Sequence, residues 1–556
     1  MKKFSIFLIS LLVCLFMIIL SSCAGTSGTT QKPYFVADDE THTVGKISYI
    51  TVRYVDSQGH PIQGAQVKIQ WYNAQTQSWI DVEDIVSGNS VFTTDANGIA
   101  TAAVLPVFAK TDTFRAFPVN DPSNVVQFNV TFVPPNWMVL IWMCGDNTPG
   151  ENDLEPVTIY DLAGIGVSNN NVSIHVIYDG RKFDYSNISP NVPNITSDCY
   201  LILDENGSFQ IVYEFPSDLN TGIGENIKLV LGGTSEDYPY FYFGSKVFRG
   251  ILRYNAQHYA LVLWNHGAAW IYDSRDQFHK GVVFDYTTNN VIRTPELREA
   301  LEEALAISGK SKIDLLFMDA CLMGSIEVAF ELKNVVEYYV ASAPAKVMLG
   351  GLTAFSRITS TTDEEELGRL IVDDYIQTVQ YLLEQNNWQW VNNWKDIPFL
   401  GMTVWWLPAM DSFIYSFNNL ALGLVDALDA DPSLGYRILN YYRFPVDNDG
   451  YSFLVDFGYF LTCLEDEPLV SDLAYEVEWD LLNMLIYGKV IYRESPSDVY
   501  SFVVPSILLP SGDYISDEQV DDYNSLRFVS YTYWGYFINT LFWGVPSNGP
   551  ILKAFQ

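Results

Sequence analysis

The chain is poor in positive charge. Lys and Arg number 31 against 66 Asp and Glu, a formal net charge of −35 over 556 residues. A phosphate backbone is held by clustered cations, so nucleic-acid binding is disfavoured and no such partner is expected. Cysteine is scarce as well, with six residues and no C-x-x-C pair, which argues against a paired-thiolate zinc site. H-E-x-x-H, G-x-S-x-G and the P-loop pattern are absent, and Gly164-Ile165-Gly166 and Gly222-Ile223-Gly224 lack the third glycine of a dinucleotide fingerprint. Asp447-x-Asp449-Gly450 begins like an EF-hand loop, but Gly458 stands where the bidentate Glu belongs. Aromatic residues are not scarce. The 14 Trp, 35 Tyr and 33 Phe exclude disorder as the dominant state. With 48% apolar residues, a chain of this length can bury about two to four cores.

Lys2 and Lys3 precede an almost unbroken apolar run from Phe4 to Leu20, and Ser21-Ser22-Cys23 follows. Basic, then apolar, then small residues is the pattern of an export signal. Leu20-Ser21-Ser22-Cys23 resembles a bacterial lipobox. That resemblance implies that residues 1–22 are a lipoprotein signal peptide and that Cys23 becomes the lipidated first residue. The alternative is an uncleaved anchor, for which the run is at the short limit. Residues 23–43 then read as a tether, small and polar at first. The expected location is the cell envelope, on the outer membrane or cell surface, held to the membrane through an N-terminal lipid.

Residues 44–133 read as an all-β unit. Ile47 to Tyr54 alternates, as do Ala65 to Trp71 and Val125 to Phe132, with turns at Asp56–Pro61 and Asp95–Gly98. Short alternating strands broken by such turns predict a β-sandwich. "DSQGHPIQGAQV" and "TTDANGIA" are similar to bacterial Ig-like modules. Val133-Pro134-Pro135-Asn136 reads as a stiff linker. Beyond Trp137 the pattern changes to α/β. Continuous apolar runs at Trp137–Met143, Val172–Tyr178, Tyr259–Trp264, Ile313–Met318 and Glu337–Ser342 predict a mainly parallel sheet buried on both faces and flanked by helices. Thr294 as cap, Pro295 and Gly309 bound one helix, and Thr362 with Glu365 forms a capping box for a helix through Tyr375. A hairpin is expected at Asn206-Gly207.

In open α/β sheets, ligands bind beyond the carboxyl ends of the strands. One such end reads Trp264-Asn265-His266-Gly267, and another Met318-Asp319-Ala320-Cys321. Neighbouring strands would bring His266 and Cys321 to one edge as proton carrier and nucleophile. A strand-to-helix turn would place Cys321 near a helix N-terminus, which lowers a thiol pKa. Gly267 would let a backbone N–H approach an oxyanion.

"WMVLIWMCGDN" (137–147), "LVLWNHGAAW" (261–270), "GVVFDYTTNNVIRTPELREAL" (281–301) and "IDLLFMDACLMGSIEVAFEL" (313–332) resemble the clostripain family of caspase-like cysteine peptidases. "SFLVDFGYF" (452–460) and "YNSLRFVSYTYWGYF" (523–537) extend the likeness, so residues 137–556 are expected to form one peptidase domain. The resemblance implies a catalytic dyad of His266 and Cys321, with an oxyanion hole from the N–H groups of Gly267 and Cys321. It also implies that Asp319 lines the pocket for the side chain before the scissile bond. Peptide-bond hydrolysis through an acyl-enzyme needs no cofactor, although some relatives use Ca²⁺. This chain departs from the family after the next strand. Where relatives tend to read S-E-E-x-x-P-G-D-G-W, it has Ser342-Ala343-Pro344-Ala345-Lys346-Val347-Met348-Leu349-Gly350-Gly351. The acidic positions become Ala343 and Leu349, so weak or no preference for Arg and Lys is expected. The rival expectation is a non-catalytic surface-binding or adhesion lipoprotein that keeps the fold, with Trp388, Trp390 and Trp394 binding a ligand.

Overall fold

The structure is a computed structural model. It describes residues 32–145, 155–166, 168–180, 189–216, 222–271, 281–285, 290–347, 349–385, 399–446, 452–492, 499–500, 505–510 and 517–544. Residues 1–22, Cys23, Asp447 to Gly450 and the three Trp of 388–394 lie outside these.

The N-terminal unit consists of two layers of strands. Tyr34–Val36, Ser48–Val55 and Ile99–Val104 form a three-stranded sheet. Glu40–Thr43, Val126–Val133, Lys110–Pro118, Gln66–Asn73 and Ser78–Asp81 form the second, with Phe92–Thr93 paired to Gln66–Asn73. Alternation sends Ile50, Val52, Val67, Ile69, Phe128 and Val130 into the core between the layers. In the turn before Ile99, the Asp95 carboxylate accepts from the N–H groups of Asn97 and Ile99. Gly98 is required there, because its φ is +74° and a Cβ would lie 2.5 Å from the Tyr54 carbonyl. The unit begins earlier than expected. Tyr34–Val36 and Glu40–Thr43 pair into the sheets, so the latter part of the expected tether is structured.

This unit is bonded to the α/β part rather than hung from it. Ser173 Oγ donates to Val44 O at 2.7 Å, and Tyr49 Oη donates to Asp204 at 2.8 Å. His42 lies between Glu205 and Glu40, at 2.7 and 3.0 Å. Burial alone would lower the His42 pKa, but the two carboxylates outweigh it and lift it to about 9. Lys46 is fully buried beside them, and burial pulls its pKa down to about 8. The expected linker is clamped too. Asn136 Nδ2 donates to the carbonyls of Thr359 and Thr362, each at 2.9 Å.

The α/β part is built on one ten-stranded sheet: β1 (Trp137–Cys144), β2 (Val172–Asp179), β3 (Cys199–Leu203), β4 (Phe209–Glu214), β5 (His258–Trp264), β6 (Ile313–Asp319), β7 (Val336–Ala341), β8 (Phe399–Trp406), β9 (Leu485–Tyr492) and β10 (Val499–Tyr500). Their order is β4-β3-β2-β1-β5-β6-β7-β8-β9-β10. The five central strands, β2-β1-β5-β6-β7, pair in parallel. The strands on both flanks run antiparallel, so the sheet is mixed outside its parallel centre. Every residue of β1 and β2 is buried, as continuous apolar runs require. The hairpin joining β3 and β4 turns where Asn206-Gly207 predicts it, with Gly207 at φ +85°.

Four helices bear on the site: α1 (Glu155–Ile165), α2 (Thr294–Ser308), α3 (Ile326–Leu332) and α4 (Glu364–Glu384). Helix α2 is closed by Gly309 at φ +70°, and its stripe of Leu297, Leu301, Ala304 and Leu305 is buried. Arg293 rather than Thr294 occupies its cap position. The cap of α4 is Asp363, whose carboxylate accepts from Glu366 N at 2.8 Å, not the expected Thr362. Thr362 Oγ1 accepts instead from Thr359 N. The helix runs on past Tyr375 because Val379, Leu382 and Leu383 continue its buried stripe.

Candidate functional site

Strands β5 and β6 pair in parallel with Trp264 opposite Asp319. Two residues beyond that register lie His266 and Cys321. The adjacency predicted from two strand ends is therefore realised at the carboxyl edge of the sheet. Asn265 N donates to Asp319 O at 3.3 Å and carries the pairing one step past the strands.

Asn265 sets how the chain leaves β5. Its side chain is fully buried. Its Nδ2 donates to Phe284 O at 2.9 Å, while its Oδ1 accepts from Phe284 N at 3.1 Å and from His266 N at 2.5 Å. A second Nδ2 contact reaches Cys144 O at the end of β1. One amide thus ties β1, β5 and the Val282–Asp285 strand together and fixes the peptide of His266. Gly267 follows and packs against the nucleophile turn: a Cβ there would lie 2.4 Å from the Cys321 carbonyl and 2.8 Å from the Ala320 Cβ. Only glycine permits this approach.

The turn after β6 is strained. Leu322, directly after Cys321, is buried with φ +61°, and Ala269 is buried with φ +56°. Non-glycine residues in this region cost on the order of 1–3 kcal/mol each and tend to cluster at functional sites. Leu322 N donates to Pro344 O at 3.2 Å, and Gly324 N to Ser342 O at 2.8 Å, so the Ser342–Gly351 segment is bonded along the turn. Helix α3 starts five residues after Cys321. Ser325 caps it, its Oγ accepting from Val328 N at 3.1 Å. The expected help from a helix N-terminus is therefore weak, because the dipole effect fades beyond the first turn.

A buried charge cluster lies beneath Cys321. Lys346 links Asp319 and Cys321, its ammonium meeting the acid and its backbone N–H the sulfur. Lys346 Nζ lies 2.5 Å from Asp319 Oδ1, and neither side chain has any exposure. The contact is an ion pair without hydrogen-bond alignment, and the second Asp319 oxygen has no hydrogen-bond partner. Lys346 Nζ also donates to Val347 O at 2.9 Å and sits 4.5 Å from the centre of the Tyr375 ring. Its backbone N–H donates to Cys321 Sγ at 3.3 Å. Asp161 of α1 accepts from Trp264 Nε1 at 2.9 Å. Burial, and next the charge of Asp319, hold the Asp161 pKa well above the usual carboxylate range, against the pull of Lys346. Burial likewise raises Asp319, partly offset by Lys346. Of the expected pocket residues, Ala343 is buried and Leu349 is half-buried against the core. Asp374 on α4 holds the end of the loop, accepting from Gly351 N at 2.8 Å.

The profile of the clostripain family matches residues 244–541, more than half of the chain. The chain belongs to the clostripain family. It is a cysteine peptidase, and its substrates are proteins or peptides. Similar solved structures include a secreted C11 cysteine protease from Bacteroides thetaiotaomicron in complex with an irreversible peptide inhibitor. It is 14% identical, with 72% of this chain and 99% of that chain covered and a TM-score of 0.47. An inactive zymogen C11 protease from Parabacteroides distasonis is 16% identical, over 72% of this chain and 99% of that chain, with a TM-score of 0.43. No curated protein matches.

Sequence reasoning placed His266, Gly267, Asp319 and Cys321 at one edge of this clostripain-family sheet; the register of β5 and β6 sets these positions on neighbouring strand ends, with Gly267 packed on the Cys321 turn. It missed Asn265 as the clamp and Asp161 as the second buried acid. Asn265 stands in the N-H-G run and was open to recognition. Asp161 carries no local signal, since only packing against Trp264 brings it in. Among the described residues, no disulfide joins Cys144, Cys199, Cys321 and Cys463. No helix among the described residues is long and apolar enough to cross a membrane.

Proposed function

We propose that the protein is a cell-envelope endopeptidase whose chemistry is carried by His266 and Cys321. The Cys321 thiolate attacks the scissile carbonyl, and His266 protonates the leaving amine and then assists water in releasing the acyl-enzyme. The backbone N–H groups of Gly267 and Cys321 take the oxyanion, a role favoured by the close approach of Gly267 to the nucleophile turn. The observation that carries this reading is the register of β5 and β6, with left-handed Leu322 and Ala269 at the same edge. No cofactor takes part in these steps, and any Ca²⁺ dependence would act on the fold rather than on bond cleavage. The segment ending Leu20-Ser21-Ser22-Cys23 supports export and lipidation at Cys23, with membrane attachment through several acyl chains, since one holds only marginally.

Full-length protein treated with a cysteine-directed peptide electrophile should be labelled at Cys321, and Cys321→Ala should abolish both labelling and cleavage. Cleavage that survives Cys321→Ala would overturn the mechanism. Absence of labelling at Cys321 would favour the non-catalytic reading. Expressed protein should take up labelled fatty acid, and Cys23→Ser should block this.

A further inference from the structure

We propose that Lys346 sets which side chain the enzyme accepts before the scissile bond, by holding a built-in cation against Asp319 so that basic side chains are refused. This rests on the peptidase reading above and names its substrate class: peptides with an uncharged residue before the cut.

The argument starts from what surrounds the sulfur. The backbone N–H of Lys346 reaches Cys321 Sγ at 3.3 Å, so the 345–347 segment forms the wall next to the nucleophile. A peptide with its scissile carbonyl at that sulfur places its preceding side chain against this wall, which carries the Lys346–Asp319 pair. In many sites of this form a buried carboxylate would select a substrate cation. Here the carboxylate is already paired. The ammonium of Lys346 is fully buried at 2.5 Å from Asp319, with Val347 O and the face of Tyr375 as its other contacts. An entering Arg or Lys would meet a neutralised acid and a like charge in a water-poor setting, where its own desolvation is uncompensated. An uncharged side chain meets neither cost. The second buried acid, Asp161, is turned to Trp264 Nε1 at 2.9 Å, and burial raises its pKa, so it is a poor partner for a substrate cation.

The geometry also separates the two roles of Lys346. The contact to Cys321 uses the main chain, which any residue except proline keeps, whereas the ion pair uses the side chain. Lys346→Ala therefore removes the internal cation, opens the space that it fills and leaves the backbone contact to the sulfur in place.

The test is a fluorogenic peptide library, varied at the residue before the bond, run with wild type, Lys346→Ala and Lys346→Ala/Asp319→Asn, alongside a cysteine-directed probe. Wild type should cleave after uncharged residues, with Arg and Lys at least tenfold lower. In Lys346→Ala the ratio of cleavage after Arg or Lys to cleavage after Ala should rise at least tenfold, and the added Asp319→Asn should erase that gain. Strong Arg or Lys selectivity in wild type overturns the proposal even if the variant fails to fold. An unchanged profile in a Lys346→Ala protein that the probe still labels at Cys321 overturns it while leaving the peptidase reading intact. Absence of cleavage and labelling in wild type removes both.

Discussion

The two ends of the same parallel strands are built on opposite terms. At the amino ends of β1 and β5 the polar groups are matched by neutral or well-aligned partners. Trp137 Nε1 donates to Thr362 O at 2.8 Å, His258 Nδ1 meets Glu364 at 2.8 Å, and Tyr259 N donates to Asp314 at 2.7 Å. No described non-glycine residue there has a left-handed backbone. At the carboxyl ends of β5 and β6, Asp319 is buried against one ammonium, an Asp319 oxygen lacks a hydrogen-bond partner, a second acid, Asp161, is buried nearby, and Leu322 and Ala269 are strained. One end holds the sheet to its surroundings, and the other spends stability on placing reactive groups. The contrast teaches that local cost marks the chemistry more clearly than residue type does. Both ends carry a histidine, His258 and His266, yet only His266 lies at the edge where Ala269 and Leu322 are left-handed.

The strongest way to break this comparison is to exchange the roles of the two histidines. His266→Ala should lower kcat/KM by at least about 10⁴-fold with little change in Tm, whereas His258→Gln should leave kcat/KM within about twofold of wild type. Comparable activity losses in both variants would refute the division between the ends.

Gly267→Ala should come next. The added methyl overlaps the Cys321 carbonyl, and relieving that overlap must shift the turn. A displacement of this kind costs about 10²-fold in kcat, with a stability loss of about 1–3 kcal/mol. Full activity in this variant would show that the close approach is not needed.

A third measurement sharpens the comparison on α3, just beyond the nucleophile turn. Glu327 is fully buried, accepts from Leu508 N at 2.8 Å, and is pushed up to about 7 by burial. A carboxyl whose folded pKa is raised binds more protons folded than unfolded, so stability falls as pH rises from about 4.5 to about 7 and stays low above that. The loss is on the order of 3 kcal/mol. Glu327→Gln keeps the acceptor for Leu508 and should flatten the fall of Tm between pH 5 and pH 8. An equal slope in wild type and variant would remove Glu327 as its source.

The smallest effect is expected at the amino end. Hydrogen bonding to Glu364 raises the His258 pKa, so the pair stabilises fully below the unfolded value of about 6.5 and is lost as pH rises through the folded value. His258→Gln should cost roughly 1 kcal/mol at pH 6 and less at pH 9, read by denaturant unfolding. A cost that grows with pH would contradict the ion pair.

Much of this molecule was determined by sequence alone. Period-two alternation and acid-glycine turns specify the N-terminal layers, and unbroken apolar runs specify the buried parallel strands, because each pattern has one stable way to hide its side chains. The ends of β5 and β6 were legible for the same reason: a strand that stops at Asn265-His266-Gly267 or Ala320-Cys321 must present those residues at the sheet edge. Tertiary structure alone decided the rest. Glu40–Thr43 reads as polar chain until it pairs with Val126–Val133, and the Pro134-Pro135-Asn136 segment is fixed by carbonyls more than two hundred residues away. Lys346 stands in sequence only as a cation near the expected pocket. Its burial against Asp319 depends on a loop that folds back under the nucleophile, and the energy of that pair comes from the exclusion of water, which no local pattern encodes.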